Sequence, residues 1–362
     1  MEKAQGRRLK ISAGADEFSP RRATPGLESG ACICHCHKMG QVAGGRVLVI
    51  DRVHRALIEE LEARGLRVVY RPGMGRRELL EALEEYEVLV LRGRLRVDEE
   101  VLERGSRLRV VARAGTGLDN IDLRAAAARG VKVVNAPEGA VESVAELAIG
   151  LMICAARMMP QLCWSVKQGS WERPLGVELA GKTLAIVGLG RIGARVAALA
   201  RCLGMRVVAY DKRDVSRRCA LLGAEAAASL HEALSRADVI SLHVPLTPET
   251  YHMISWREFE ALRRGVILVN TSRGAVVDPE ALLWALEAEV VGAAALDVLS
   301  EEPPRSRVVR KLVQHPRVIV TPHIGAQTRE AQERVARILA RRILAALGLL
   351  GESLKPVDHQ CG

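Results

Sequence analysis

From residue 46 onward the chain alternates short apolar runs with amphipathic stretches. The runs at 47–50, 66–70, 88–91, 108–112 and 131–134 are rich in Val, Leu and Ile and short enough to be strands. Between them, 54–63, 76–85, 99–104 and 123–128 place apolar residues at helical spacing. A long apolar helix is expected over 143–158, ended by Pro160, followed by a loop holding Gly169, Pro174 and Gly176. A second alternating block then offers strands at 183–187, 206–209, 239–242, 266–269, 291–296 and 318–320. The last stretch, 328–350, reads as an amphipathic helix that could return to the first block. Continuous apolar strands separated by helices predict α/β architecture with parallel sheets covered on both faces.

Two such blocks in 362 residues predict two doubly wound parallel-sheet domains with a cleft between them. We expect a first domain at 45–137 plus 325–350 and a second at 138–324. Residues 1–44 show no hydrophobic period and contain Pro20 and Pro25, so they read as a leader without packed structure; 351–362 read as a tail.

Composition narrows the class. Hydrophobic residues at 49% and charged residues at 27% suit a globular protein. The longest apolar stretch, 147–156, is closed by Glu146 and Arg157 and is far short of the roughly 20 residues of a membrane span. Arg7, Arg8 and Lys10 precede no apolar core of a secretory signal, so a cytoplasmic protein with no membrane partner is expected. The net charge of +10 raises nucleic acid as a partner. Only 3% aromatic residues and the interleaving of acids with bases at 76–85 argue against it, leaving a field that draws in a small anion. The eight cysteines of a large chain are expected as thiols. The tract Cys32-Ile-Cys-His-Cys-His37 lacks paired Cys-x-x-Cys knuckles, and no metal is expected.

Chemistry enters where the strand at 183–187 runs into Gly188-Leu-Gly190-Arg-Ile-Gly193 and a helix. Gly188 permits the tight turn, Gly190 lets a pyrophosphate approach the backbone, and Gly193 lets helix and strand pack closely. Free N–H groups at the helix start hold the phosphates. Asp211, at the end of the next strand, can accept both ribose hydroxyls and repel a 2′-phosphate, which favours NAD over NADP, although Lys212 and Arg213 are adjacent. The second domain therefore reads as a Rossmann NAD domain.

Arg273, Glu302 and His323 each follow a predicted strand end, the edge where ligands of open α/β sheets bind. An arginine to grip a carboxylate and polarise a carbonyl, and an imidazole steadied by a carboxylate to carry a proton, suit interconversion of a 2-hydroxy and a 2-oxo acid.

Five segments carry a family resemblance: Arg113-Ala-Gly-Thr-Gly-Leu-Asp-Asn-Ile-Asp122, Gly188 to Gly193, Asn270-Thr-Ser-Arg-Gly-Ala-Val-Val-Asp278, Ala295-Leu-Asp-Val-Leu-Ser-Glu-Glu-Pro303 and Pro322-His-Ile-Gly-Ala-Gln-Thr-Arg-Glu-Ala-Gln332. In this order the chain resembles the D-isomer-specific 2-hydroxyacid dehydrogenase family, on its D-3-phosphoglycerate-oxidising branch. The resemblance implies a flavodoxin-like substrate domain beside the Rossmann domain, the catalytic trio Arg273, Glu302 and His323, and a homodimer, with helix 143–158 as contact or core. It implies that Thr116, Arg191, Ile192, Asp211, Val244, Thr271, Ser272, Arg273, Asp297, His323, Ile324, Gly325 and Ala326 line the cofactor with the three glycines. It further places the substrate carboxylate against Ala114, Gly115 and Thr116, whose backbone N–H groups turn inward. Arg92 and Arg113, on strand ends facing the same cleft, are expected to meet a phosphate at the far end of the substrate, with Arg94 a weaker candidate.

Gly93 and Leu95 stand where the branch often has Ser or Thr, and Gln327 where Ser is usual. These departures keep glyoxylate or hydroxypyruvate reduction open as the substrate alternative. A non-enzymatic NAD-sensing interaction protein is the alternative of another class. The serine-sensing module of the long family members is not expected to follow.

Overall fold

The computed structural model describes residues 44–350. The expected leader apart from Gly44, the Cys32–His37 tract and the expected tail lie outside the described residues.

Two parallel sheets form the scaffold. The first contains β1 (Arg46–Val49), β2 (Arg67–Tyr70), β3 (Val88–Leu91), β4 (Val110–Arg113) and β5 (Lys132–Asn135), in the order β2-β1-β3-β4-β5. The second contains β6 (Thr183–Val187), β7 (Arg206–Tyr210), β8 (Glu225–Ala226), β9 (Val239–Leu242), β10 (Val266–Asn270), β11 (Val291–Leu296) and β12 (Val318–Val320), in the order β12-β11-β10-β9-β6-β7-β8. Sequence and position agree: β3, Val-Leu-Val-Leu, is fully buried inside its sheet, whereas the edge strands β2, β5 and β8 are partly or wholly exposed. Both orders reverse direction once, between β1 and β3 and between β6 and β9, and ligand crevices open at such points.

Helices cover both faces of each sheet. Helix Val141–Arg157 buries Ala145, Ala148, Leu151, Met152 and Ala155 in the second core, against helix Arg191–Cys202 and strands β10 and β11. After β12 the chain returns to the first sheet, where helix Arg329–Leu347 packs on helix Arg55–Glu62 and on β4 and β5. Thr328 caps it through the N–H of Ala331, and Gly348 ends it in the left-handed region. Its Leu339, Ile343 and Leu344 are buried and each contribute roughly 1.5–3 kcal/mol.

Two expectations need correction. The region after the long helix is not all loop, because Met159–Lys167 is a second helix. Met158 adopts φ 52 and breaks the first helix, and Pro160 sits in the first turn of the next, where its missing N–H has no partner to lose. The second sheet has seven strands where six were expected, because the short polar β8 pairs with β7.

Candidate active site

Gly188 follows β6 at the reversal point of the second sheet, with φ +93. A Cβ there would lie 2.7 Å from the carbonyl oxygen of His243, and Val244 packs on the same glycine. A Cβ on Gly193 would lie 2.1 Å from the carbonyl oxygen of Gly188. By contrast, a Cβ on Gly190 would meet nothing within 4 Å, so this residue opens on empty space. Gly190 caps helix Arg191–Cys202 without a side-chain hydrogen bond, so the first N–H groups, near exposed Arg191 and half-buried Ile192, face that space. An uncapped helix start beside open space suits the phosphates of a dinucleotide.

Asp211 follows β7 and is bonded to this turn. Its Oδ2 accepts from the N–H of Leu189 at 3.0 Å, and its Oδ1 accepts from the backbone N–H and Nε of Arg213 at 3.1 and 3.3 Å. Burial pushes this carboxyl up, but the bonds from Arg213 and Leu189 outweigh it and hold it below the ordinary range. Thr271 lies just past β10, and its buried Oγ1 has no partner within the protein, an acceptor that a bound group would satisfy. Ser272 is already committed, since its N–H and Oγ both donate to Oδ1 of Asn270. His243, unremarked in the sequence, is pushed down to about 3 by burial and stays neutral beside the Gly188 turn, with Nε2 2.9 Å from Oγ of Ser241.

The three polar residues at the strand ends converge. Nδ1 of His323 lies 2.8 Å from Oε2 of Glu302, whose Oε1 accepts from the N–H of Leu299 at 3.1 Å. Burial raises the Glu302 carboxyl, but the His323 hydrogen bond and charge, the Leu299 N–H and the charge of Arg273 together hold it below the ordinary range. His323 has φ 53, and its N–H donates to the carbonyls of Asp297 and Thr321. Buried Asp297 fixes the segment that follows, accepting from Oγ1 of Thr321 and the N–H groups of Ile324 and Gly325 at 2.6–2.8 Å. The carbonyl of Gly325 in turn accepts from Oγ of buried Ser143, and that of Ala326 from Nε2 of Gln332. A Cβ on Gly274 would lie 1.9 Å from the carbonyl carbon of Leu299, so this glycine lets the Arg273 loop abut the Glu302 loop.

Across the cleft, the first sheet offers arginines at its own reversal point. Asp51 after β1 accepts from the backbone N–H of Arg92 after β3 at 2.7 Å. Burial lowers the Arg92 guanidinium. Burial, then the charges of Arg273 and Arg92, push Arg113 down to about 10, and its Nε has no partner. Arg94 is engaged elsewhere: Nε donates to Asp51 at 3.1 Å and Nη2 to the carbonyl of Met74. The inward-turned N–H groups expected at Ala114 and Gly115 are instead donated to the carbonyls of Leu91 and Arg113, at 2.8 and 2.9 Å. Thr116 lies next to them, and its carbonyl accepts from Nδ2 of Asn135. Asp119, not singled out in the sequence, accepts from Nε of Arg273 at 2.6 Å and joins the two sets.

Two cavities of about 280 and 180 Å³ lie at the opposite, amino-terminal edge of the second sheet, sharing Val177, Gly265 and Ile267. They are separate from the Arg273, Glu302 and His323 cluster. Among the described residues no group of His, Cys, Asp and Glu could hold a metal ion, and no helix is long and apolar enough to cross a membrane.

A family model, D-isomer specific 2-hydroxyacid dehydrogenase, NAD binding domain, matches residues 149–325. With the relatives below, this shows that the chain belongs to the D-isomer-specific 2-hydroxyacid dehydrogenase family. A D-3-phosphoglycerate dehydrogenase of Methanocaldococcus jannaschii is 42% identical over 312 residues, 85% of this chain and 59% of that protein. The chain therefore spans about three-fifths of that relative's length. A hydroxypyruvate reductase of Thermotoga maritima is 42% identical over 274 residues, 75% of this chain and 88% of that protein. The crystal structure of the TT0316 protein from Thermus thermophilus superposes with a TM-score of 0.76 at 37% identity, covering 84% of this chain and 97% of that one.

Proposed function

We propose that this protein is an NAD-dependent dehydrogenase that oxidises D-3-phosphoglycerate to 3-phosphohydroxypyruvate, the first step of serine synthesis. The observation that carries the phosphorylated substrate is the cationic patch of Arg92, Arg113 and Arg273. Burial and mutual repulsion depress Arg113, and its Nε lacks a partner. Asp51 is shared with Arg94, and Arg273 also lies within reach of the Glu302 charge, so four arginines face three carboxylates. A substrate with both a carboxylate and a phosphate offsets that excess.

Bound NAD would supply the hydride acceptor, held by the Gly188–Gly193 turn, Asp211 and Thr271. Arg273 orients the carboxylate and C2 oxygen of the acid. Nε2 of His323 takes the proton of the C2 hydroxyl as the C2 hydride departs, while Glu302, ionised beside Nδ1, stabilises the imidazolium. In the reverse direction the same nitrogen returns the proton to the carbonyl oxygen.

Hydroxypyruvate or glyoxylate reduction is the second reading, favoured by Gly93 and Leu95 beside Arg92 and by the name of the Thermotoga relative. The close Glu302–His323 pair disfavours an NAD sensor without activity. Purified protein given NAD and D-3-phosphoglycerate, with the keto acid trapped by hydrazine, is expected to form NADH in proportion to substrate. NADH formation from D-glycerate alone would favour the second reading.

We also propose a homodimer. Helix Met159–Lys167 has no buried residue, and Trp164, Trp171 and Leu175 on and after it are 66, 73 and 96% exposed. An apolar face of this kind suits a second copy, whereas the inner face of helix Val141–Arg157 serves its own core. Analytical ultracentrifugation should give twice the chain mass, and replacing Trp164 and Trp171 with Ser should give the monomer.

A further inference from the structure

The loop between β4 and helix Leu123–Ala128 holds two glycines, and each lies under an arginine. A Cβ on Gly115 would lie 1.9 Å from Nη1 of Arg113, and a Cβ on Gly117 would lie 1.6 Å from Nη2 of Arg273. The second contact crosses the cleft, because Arg273 belongs to the loop after β10. Asp119 sits two residues beyond Gly117 and accepts from Nε of Arg273 at 2.6 Å. Nη1 of Arg273 donates to the carbonyl of Ser272 at 2.8 Å. Asn120 pins the same loop, its Nδ2 donating to the carbonyls of Arg92 and Leu95 at 3.0 and 2.7 Å.

We propose that Gly117 and Asp119 form a socket that fixes the guanidinium of Arg273, making Asp119 a positioning residue for the reaction. The inference rests on the reading of Arg273 as the group that orients the substrate. A guanidinium has five N–H donors in a rigid fork. Here one goes to Asp119 and one to Ser272, so the second hydrogen of Nη1 and both of Nη2 remain for a ligand. Gly117 keeps open the space in which Nη2 lies, and Asp119 stops the fork from turning about its long, rotatable stem. The carboxylate comes from the first sheet and the arginine from the second, so the fork is aligned only while the two loops meet.

The test uses wild type, Asp119→Ala, Asp119→Asn and Gly117→Ala. It measures NADH affinity by fluorescence, affinity of the NADH complex for oxamate by calorimetry, steady-state kcat and KM, and melting temperature. A misplaced fork costs on the order of 100-fold in kcat/KM. We expect that loss in Asp119→Ala and Gly117→Ala, weaker oxamate binding in both, and NADH affinity within about 2-fold of wild type. Asn keeps a neutral acceptor, so Asp119→Asn should recover activity to within about 10-fold of wild type. Unchanged oxamate affinity and kcat/KM in Asp119→Ala would overturn the socket. So would NADH and oxamate binding falling together with the melting temperature and no rescue by Asn. A wild type that binds oxamate but reduces no 2-oxo acid contradicts the proposed function alone, while one that binds no oxamate overturns both.

Discussion

Replacing Arg113 with Met should stabilise the protein while crippling it toward a phosphorylated substrate. The Arg113 guanidinium is pushed well below the ordinary arginine range, to about 10, by burial and by the charges of Arg273 and Arg92. With each pH unit worth about 1.4 kcal/mol, the charged form is disfavoured by roughly 3 kcal/mol. The sign follows from linkage: the folded state holds this proton less tightly than the unfolded chain, so the cost is present at neutral pH and fades only above about pH 10. Methionine keeps the length of the stem and removes the charge. Allowing for rotation toward solvent, we expect a gain of about 1–2 kcal/mol, or roughly 1–3 °C in the melting temperature of the ligand-free protein. The charge-assisted bonds lost to a phosphate are worth roughly 1.5–3 kcal/mol, so kcat/KM for 3-phosphohydroxypyruvate should fall about 10- to 100-fold. Glyoxylate, which has no phosphate, should lose much less. Differential scanning calorimetry and steady-state NADH oxidation read the two effects. A lower melting temperature would rule out a costly buried charge at Arg113, and an equal loss on both acids would rule out its contact with the phosphate.

Removing the imidazole in His323→Ala should lower kcat by about 100- to 10,000-fold, the usual worth of a general acid or base, with NADH affinity retained in a fluorescence titration. The Glu302 carboxyl lies below its ordinary range. Any stability it adds is therefore present above about pH 4 and lost as acid protonates it. Glu302→Gln should flatten that acid limb in melting curves taken against pH, and should move the pH dependence of kcat/KM to lower pH; profiles identical to wild type would count against the pairing. A Cβ at position 193 would lie 2.1 Å from a backbone oxygen, so Gly193→Ala should cost roughly 1–3 kcal/mol of stability and weaken NADH binding, both visible in thermal melts with and without NADH.

Much of this architecture is legible in the sequence because parallel strands buried on both faces leave continuous apolar runs. Strands such as Val88–Leu91 and Val239–Leu242 stand out for that reason. The edge strand Glu225–Ala226 does not, since two exposed residues carry no periodicity. Pro160 misleads because a proline stops one helix and starts another equally well, and only the left-handed Met158 decides between them. The strand ends likewise locate Arg273, Glu302 and His323 on one edge of one sheet. Asp119 escapes notice because its partner lies 154 residues away, and no local pattern encodes a contact made only when two sheets face each other. Gly115 and Gly117 are visible as flexible positions, but their service as seats for arginines depends on where those side chains come to rest.

The most direct measurement is kcat/KM for 3-phosphohydroxypyruvate, hydroxypyruvate and glyoxylate, taken side by side on wild type and Arg92→Ala. Wild type is expected to prefer the phosphorylated acid by at least about 100-fold, a difference of roughly 2.7 kcal/mol, and Arg92→Ala to erase most of that preference. An equal or greater kcat/KM for glyoxylate in wild type would contradict it.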